Sequence, residues 1–208
     1  MSASTTKILL QKVVNSMQLM ILGAFFGSLL GICSSFIAWL LVQHVFVPRI
    51  KFWPEISCKK SSHFSCGFSY RITFSNSGFR DIMDLNVIAE IVTENLHGTQ
   101  VASFEYARPP LDANCIPYLD KGKSRAVSIH IFETERFSKP VYGERINNKH
   151  ANGTLRLEDL LEVSEMSYLR IYVFGFDKFS GTRKVYRSKR YTLQDIKHGT
   201  WNKRLAEN

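Results

Sequence analysis

The sequence predicts a mainly β domain, a sandwich of short strands, preceded by one N-terminal transmembrane helix. Three observations carry this. Val13 to Pro48 is a run of 36 residues without Asp, Glu, Lys or Arg. Beyond it, segments of alternating apolar and polar residues recur between turn-forming clusters such as Asn76-Ser77-Gly78 and Asp120-Lys121-Gly122-Lys123. Stretches with a helical period are few and short after residue 48.

The apolar run comes first. A bilayer core of ~30 Å needs about 20 apolar residues as a helix, and Met20 to Leu41 supplies them once, without room for a second pass. A cleaved signal peptide is the rival reading. Cys33-Ser34-Ser35 imitates a cleavage site, but the apolar Phe36 to Val42 follows directly, and Ile32 stands where a lipoprotein has a small residue. A retained anchor is expected. Within it, Gly23, Gly27, Gly31 and Ser35 recur every fourth residue, which places four small side chains on one helix face. Such faces let helix backbones approach closely in lipid, so a helix partner is expected, most simply a second copy. Glycine is also common in membrane helices generally.

The organisation expected is a short head at 1–16, a transmembrane helix at 17–47, a juxtamembrane linker with a first strand at 48–67, the β-sandwich at 68–201 and a tail at 202–208. The head is either an interfacial helix or the first turns of the same helix. About 155 residues follow the anchor, enough for one domain with a core. The chain carries 27 Lys+Arg against 18 Asp+Glu, a formal net charge of +9. Arg49, Lys51, Lys59 and Lys60 lie just past the helix, where anionic lipid attracts each cation by about 1 kcal/mol. These four are the candidate lipid-binding residues. No nucleic-acid-binding signature is present. Lys and Arg near the two helix ends slightly favour a cytoplasmic C-terminal domain.

Cys33 falls in the span and leaves Cys58, Cys66 and Cys115 in the domain. Cys58 and Cys66 would pair across a short loop in an exported domain; an odd cysteine fits a reducing compartment better. Cys58, His63 and Cys66 match no common zinc module, so structural thiols and no metal or other cofactor are expected.

Strands are expected at Phe68–Ser75, Asp84–Glu94, Val101–Tyr106, Ala126–Phe132, Tyr168–Asp177 and Lys184–Tyr191. In the first, Phe68, Tyr70, Ile72 and Phe74 share a face. A loop carries Cys115 and Pro117. Glu133 to Gly153 is polar and reads as irregular, with Asn147–Gly153 an exposed loop. Thr154 is a possible cap for a short helix through Leu161, and Thr192 caps a final turn at Leu193–Ile196. Regular short strands with little helix argue an immunoglobulin-like β-sandwich.

Chemistry is thin. No nucleophile elbow, Walker loop, dinucleotide fingerprint or His-Glu-x-x-His motif occurs, and His44, His63, His97, His130, His150 and His198 are scattered. Asp81 and Asp84 are expected to hold a turn or an intersubunit ion pair, and His44 to sit near the membrane interface. No enzyme activity is expected.

Phe74 to Ile91, with its strand, its Asn76/Arg80 turn and a following strand with an acidic residue near its start, resembles the first strand pair in the cytoplasmic domain of inward-rectifier potassium channels. Leu169–Phe176, a hairpin and Tyr191-Thr192-Leu193-Gln194-Asp195-Ile196-Lys197-His198-Gly199 resemble that domain's close. The likeness covers about residues 50–201. It implies an immunoglobulin-like sandwich on the cytoplasmic side, tetrameric assembly, and anionic phospholipid at Arg49 and Lys51, which occupy the place of the family's basic run. The family's second membrane helix, pore loop and selectivity filter have no counterpart, so potassium selectivity by carbonyl rings is not implied. Three functions remain open: a non-enzymatic oligomeric regulatory or accessory subunit, an oligomeric pore of single helices, and an exported anchored binding domain. The loop Glu133–Gly153 and the basic hairpin Lys178–Arg190 are candidate surfaces for a protein partner.

Overall fold

Two long strands organise the β domain. A computed structural model describes residues 3–61, 67–94, 104–131, 134, 137 and 142–199, and the chain divides into two units, Met1–Val47 and Pro48–Asn208. In the second unit β3 (Phe68–Asn76) and β4 (Ile82–Glu94) are the axes of two separate sheets.

Each axis is served in the same way. β7 (Ser124–Ile129) pairs with β3 along most of its length, while β1 (Ile50–Phe52) and β2 (Ile56–Lys60) pair with opposite ends of β3. Since β7 overlaps both short partners, those two lie end to end along the other edge of β3. On β4, the full-length neighbour is β8 (Tyr168–Asp177), and β5 (Phe104–Ala107) and β6 (Cys115–Leu119) take the ends of the other edge. β9 (Arg183–Arg187) extends β8 as a hairpin. β10 (Ile196–His198) runs parallel to β2, the single parallel pairing among the described strands.

The alternation read in the sequence sets the core. Tyr70, Ile72 and Phe74 from one sheet, and Ile82, Val87, Ala89, Ile91, Leu169, Ile171 and Val173 from the other, are buried in one cluster. Two helices close it. α2 (Gly143–Ala151) contributes Ile146, and α3 (Leu157–Leu161) contributes Leu157, Leu160 and Leu161.

Several elements depart from expectation. Residues 143–151 form a helix rather than loop; Gly143 and the two asparagines hide its potential, and one buried residue, Ile146, holds it to the core. Arg156, not Thr154, occupies the N-cap of α3, with Asp159 accepting the Arg156 N–H at 3.0 Å. The linker 48–67 carries two sheet strands instead of one. The Cys115–Pro117 segment is a strand, tolerating Pro117 because, among the described strands, β6 pairs only with β4. Residues 196–198 continue from the Thr192-capped turn into β10.

In the first unit, α1 runs unbroken from Ala3 to Leu40 and ends in a π-helical turn, Leu41–Val45. The head is therefore the first part of the same helix. Met17–His44 is long and apolar enough to cross a membrane, with a mean hydropathy of 2.1. At 1.5 Å per residue its 28 residues span about 42 Å. Ser28 and Ser34 return their hydroxyls to the carbonyls of Phe25 and Gly31 at 2.9 and 3.0 Å, so they add little unsatisfied polarity. A Cβ built on Gly23, Gly27 or Gly31 meets nothing within 4 Å among the described residues, which leaves that face open to them.

Candidate functional site

Four segments meet at one end of the sandwich: residues 48–49, the β3–β4 turn (77–81), the β6–β7 turn (120–123) and the β8–β9 turn (178–182). Asn76 is their hub. Its side chain is fully buried, and the amide works in both directions. Nδ2 donates to the carbonyls of Arg80 (2.7 Å) and Leu119 (3.3 Å), while Oδ1 accepts from the N–H groups of Gly78 (3.1 Å) and Arg49 (3.4 Å). Its backbone exchanges bonds with the β6–β7 turn, to the Lys123 carbonyl at 2.9 Å and from the Gly122 N–H at 2.8 Å. Ser77 grips the Arg49 carbonyl through its N–H (2.8 Å) and its hydroxyl (3.2 Å). Gly122 sits at φ +74°, a backbone region that favours glycine and lets the turn close.

The incoming segment is held from the other sheet as well. The Tyr186 hydroxyl donates to the Pro48 carbonyl at 2.9 Å, and the Tyr191 hydroxyl to the Trp53 carbonyl at 2.6 Å. Burial pushes the Tyr186 phenol up to about 12 and the Tyr191 phenol upward too, so both remain donors. Since Pro48 opens the second unit, this end of the domain is where the chain arrives from α1.

Two carboxylates stiffen the same end. Asp81 accepts from the Lys121 N–H at 2.9 Å and the Tyr118 hydroxyl at 2.8 Å, with the Lys178 ammonium 3.5 Å away. These partners, the Lys121 N–H foremost, hold its carboxyl below the usual range. For Asp177, burial alone would raise the carboxyl. The Phe179 N–H (3.0 Å), the Ser180 hydroxyl (2.9 Å) and the Arg80 guanidinium (3.2 Å) outweigh it and hold the group low.

Outside this frame stand two phenyl rings, Phe79 and Phe179, 55% and 72% exposed. The Arg80 guanidinium lies 4.2 Å from the centre of the Phe179 ring, and the Lys121 ammonium 5.2 Å from that of Phe79. With Asp81 and Lys178 these four line a shallow cleft of about 420 Å³. Arg49, Lys121 and Lys123 are exposed around it. Exposed aromatics set among cations suit a surface that is anionic outside and apolar a few ångströms deeper.

The four basic residues singled out in the sequence separate. Arg49 belongs to this end, and Lys51, exposed on β1, pairs with Ser75 close by. Lys59 and Lys60 are exposed at the far end of β2, opposite Ser69 and Phe68. From Phe68 to Asn76 the strand covers about 26 Å, so one patch cannot hold all four. Lys178 and Phe179 fall in the hairpin singled out in the sequence, while Phe79, Arg80 and Lys121 escape a linear reading as parts of the same surface because they lie on other turns. Each turn is visible in sequence; their meeting at one end needs the sheet pairing. Asp81 holds a turn as expected, whereas Asp84 sits at a bulge in β4 with φ +49°. Cys58 is buried in the core and Cys115 exposed. His63, Cys66 and His97 lie outside the described residues, as does much of 133–141.

No family model and no curated protein matches the chain. Among solved structures, the sporulation control protein Spo0M from Bacillus subtilis is similar at 10% identity and a TM-score of 0.31, over 73% of this chain and 49% of that one. The chain thus spans about half the length of that protein, and a likeness this low carries no argument about function.

Proposed function

We propose that this chain is a single-pass, non-enzymatic membrane subunit whose immunoglobulin-like domain rests its Phe79/Phe179 end on the anionic face of the membrane that its helix crosses. The observation that carries this is the fastening of Arg49, the second residue of the β unit, to the turn bearing Phe79. The chain between the span and Arg49 is only a few residues long, at about 3.5 Å each, so these turns stay within reach of the bilayer surface. Tethering raises the effective concentration to the millimolar range, and each exposed cation adds about 1 kcal/mol near anionic lipid. A weak surface is then sufficient.

A surface suited to anionic lipid supports a cytoplasmic side for the domain, which the resemblance to inward-rectifier cytoplasmic domains also implies. Phe74–Ile91, the block that carries that resemblance, also contains the hub Asn76 with Arg80 and Asp81. Self-association through the open Gly23/Gly27/Gly31 face would make the subunit oligomeric and leave it a regulatory or accessory role.

The test compares full-length protein in nanodiscs of neutral lipid and of neutral lipid doped with phosphatidylserine, by hydrogen exchange. Residues 77–81, 120–123 and 178–182 should gain protection only with phosphatidylserine. Lys121→Glu with Lys123→Glu should abolish the gain, each reversal trading about 1 kcal/mol of attraction for a similar repulsion. Lys59→Glu with Lys60→Glu should not. Equal protection in both lipids would sink the reading.

A further inference from the structure

The other end of the sandwich carries a different chemistry. β10, β2 and β3 run side by side, and their register sets His198 opposite Cys58 and Cys58 opposite Tyr70. Directly paired residues point to the same face of a sheet, here the inward one, since Ile56, Cys58, Tyr70 and Ile196 are buried. α3 brings a fourth group to this row. Glu158 Oε1 lies 3.3 Å from His198 Nε2, and the Tyr70 hydroxyl donates a short hydrogen bond to Glu158 Oε2. The Leu157 N–H donates to Tyr70 Oη at 3.2 Å, which fixes the phenol in turn.

One thiol, one imidazole and one carboxylate therefore converge, with their ligand atoms all within 4.8 Å of one another. A tetrahedral zinc ion, bonded at about 2.0–2.3 Å, needs donor separations of roughly 3.3–3.8 Å. The Glu158–His198 spacing is already there, and the remaining approach is within a side-chain rotation. His198 has that freedom because its side chain is 60% exposed. It lies edge-on to the Phe68 ring at 6.3 Å between centroids. Sulfur with imidazole and carboxylate is the donor set that zinc-class ions prefer, and three protein ligands leave a fourth position for water. Tyr70 stands where an outer hydrogen bond orients a ligating carboxylate. As a mere ion pair, Glu158 with a largely exposed histidine would be worth little.

We propose that Cys58, Glu158 and His198 bind one zinc-class divalent cation, with water completing the coordination and Tyr70 orienting the carboxylate. The site ties β10 and α3 to the sheet at the end of the domain away from Arg49. Neither the lipid-facing reading nor its test depends on it.

The test uses full-length protein in detergent, stripped with a chelator and titrated with cobalt(II), a coloured stand-in for zinc. One equivalent should bind with a thiolate-to-metal charge-transfer band, and zinc should displace it. Cys58→Ser should abolish the band. His198→Gln removes a ligand at an exposed position, so its fold survives to be checked by circular dichroism, and it should weaken binding by tenfold or more. Tyr70→Phe should weaken binding about 10–100-fold, and Cys66→Ser should leave it unchanged. Three results would overturn the proposal: no stoichiometric cobalt binding, full binding in His198→Gln, or a band lost in Cys66→Ser, which would assign the metal to Cys58, His63 and Cys66.

Discussion

Asn76 is the residue on which the lipid-facing end turns. Its fully buried amide satisfies two carbonyls and two N–H groups from three segments. Alanine there leaves polar backbone groups without partners, at a cost of about 1–3 kcal/mol. For a domain of this size, each kcal/mol lowers Tm by about 2–4 °C. Asn76→Ala should therefore show a Tm lower by several degrees and faster hydrogen exchange at Gly78 and Gly122. Asn76→Asp keeps the acceptor but sets a buried carboxylate oxygen against the Arg80 and Leu119 carbonyls, and should cost at least as much as alanine. An alanine variant with unchanged exchange at both glycines would mean that Ser77 and the backbone bonds suffice.

At the scale of elements, the pairing of β4 with β8 sets the shape of the second sheet. β4 bulges between Met83 and Asn86, with Asp84 at φ +49°, while β8 keeps its regular run past the bulge. Gly175, between Phe174 and Phe176 of β8, makes this possible. A methyl group added there would overlap Ile82 Cγ2 and come into contact with the Met83 carbonyl at 3.4 Å. Ile82 is β-branched and stiff at χ1, and it is fully buried, so it has nowhere to go. Gly175→Ala should lose about 1–3 kcal/mol in denaturant unfolding, and combining it with Ile82→Ala should cost less than the sum of the two. Full additivity would show that the clash is relieved elsewhere. The strands β3, β4 and β8 are legible in sequence because long alternation and β-branched residues repeat one message. β6 is obscured by Pro117, β10 by its three-residue length, and α2 by Gly143, Asn147 and Asn148. Their structure comes from partners far along the chain. Both candidate sites are hidden for related reasons: Arg49 meets Ser77 and Cys58 meets His198 only through sheet pairing, and Glu158 joins them only through the packing of α3.

For the whole molecule, acid acts on the end of the sandwich where Asp81 and Asp177 sit. At the Arg49 end, Asp81 and Asp177 are held below the usual carboxylate range by donors that the unfolded chain lacks. Each then binds its proton less readily folded than unfolded. Their contribution to stability is complete above the unfolded value, about 3.9, and is lost as pH falls through the lower folded values. Thermal stability of the full-length protein, as far as these two groups set it, should be flat from pH 8 to about 5 and fall below about 4. Hydrogen exchange in 77–81 and 178–182 should rise in the same acid window. Asp177→Asn removes the ion pair with Arg80 and the charged acceptor for the Phe179 N–H and the Ser180 hydroxyl. This variant should be less stable at pH 7 and show a shallower acid slope, because one of the linked carboxyls is gone. Equal slopes in wild type and variant would show that acid unfolding starts elsewhere, and that the Arg80–Asp177 frame is not what secures the turns carrying Phe79 and Phe179.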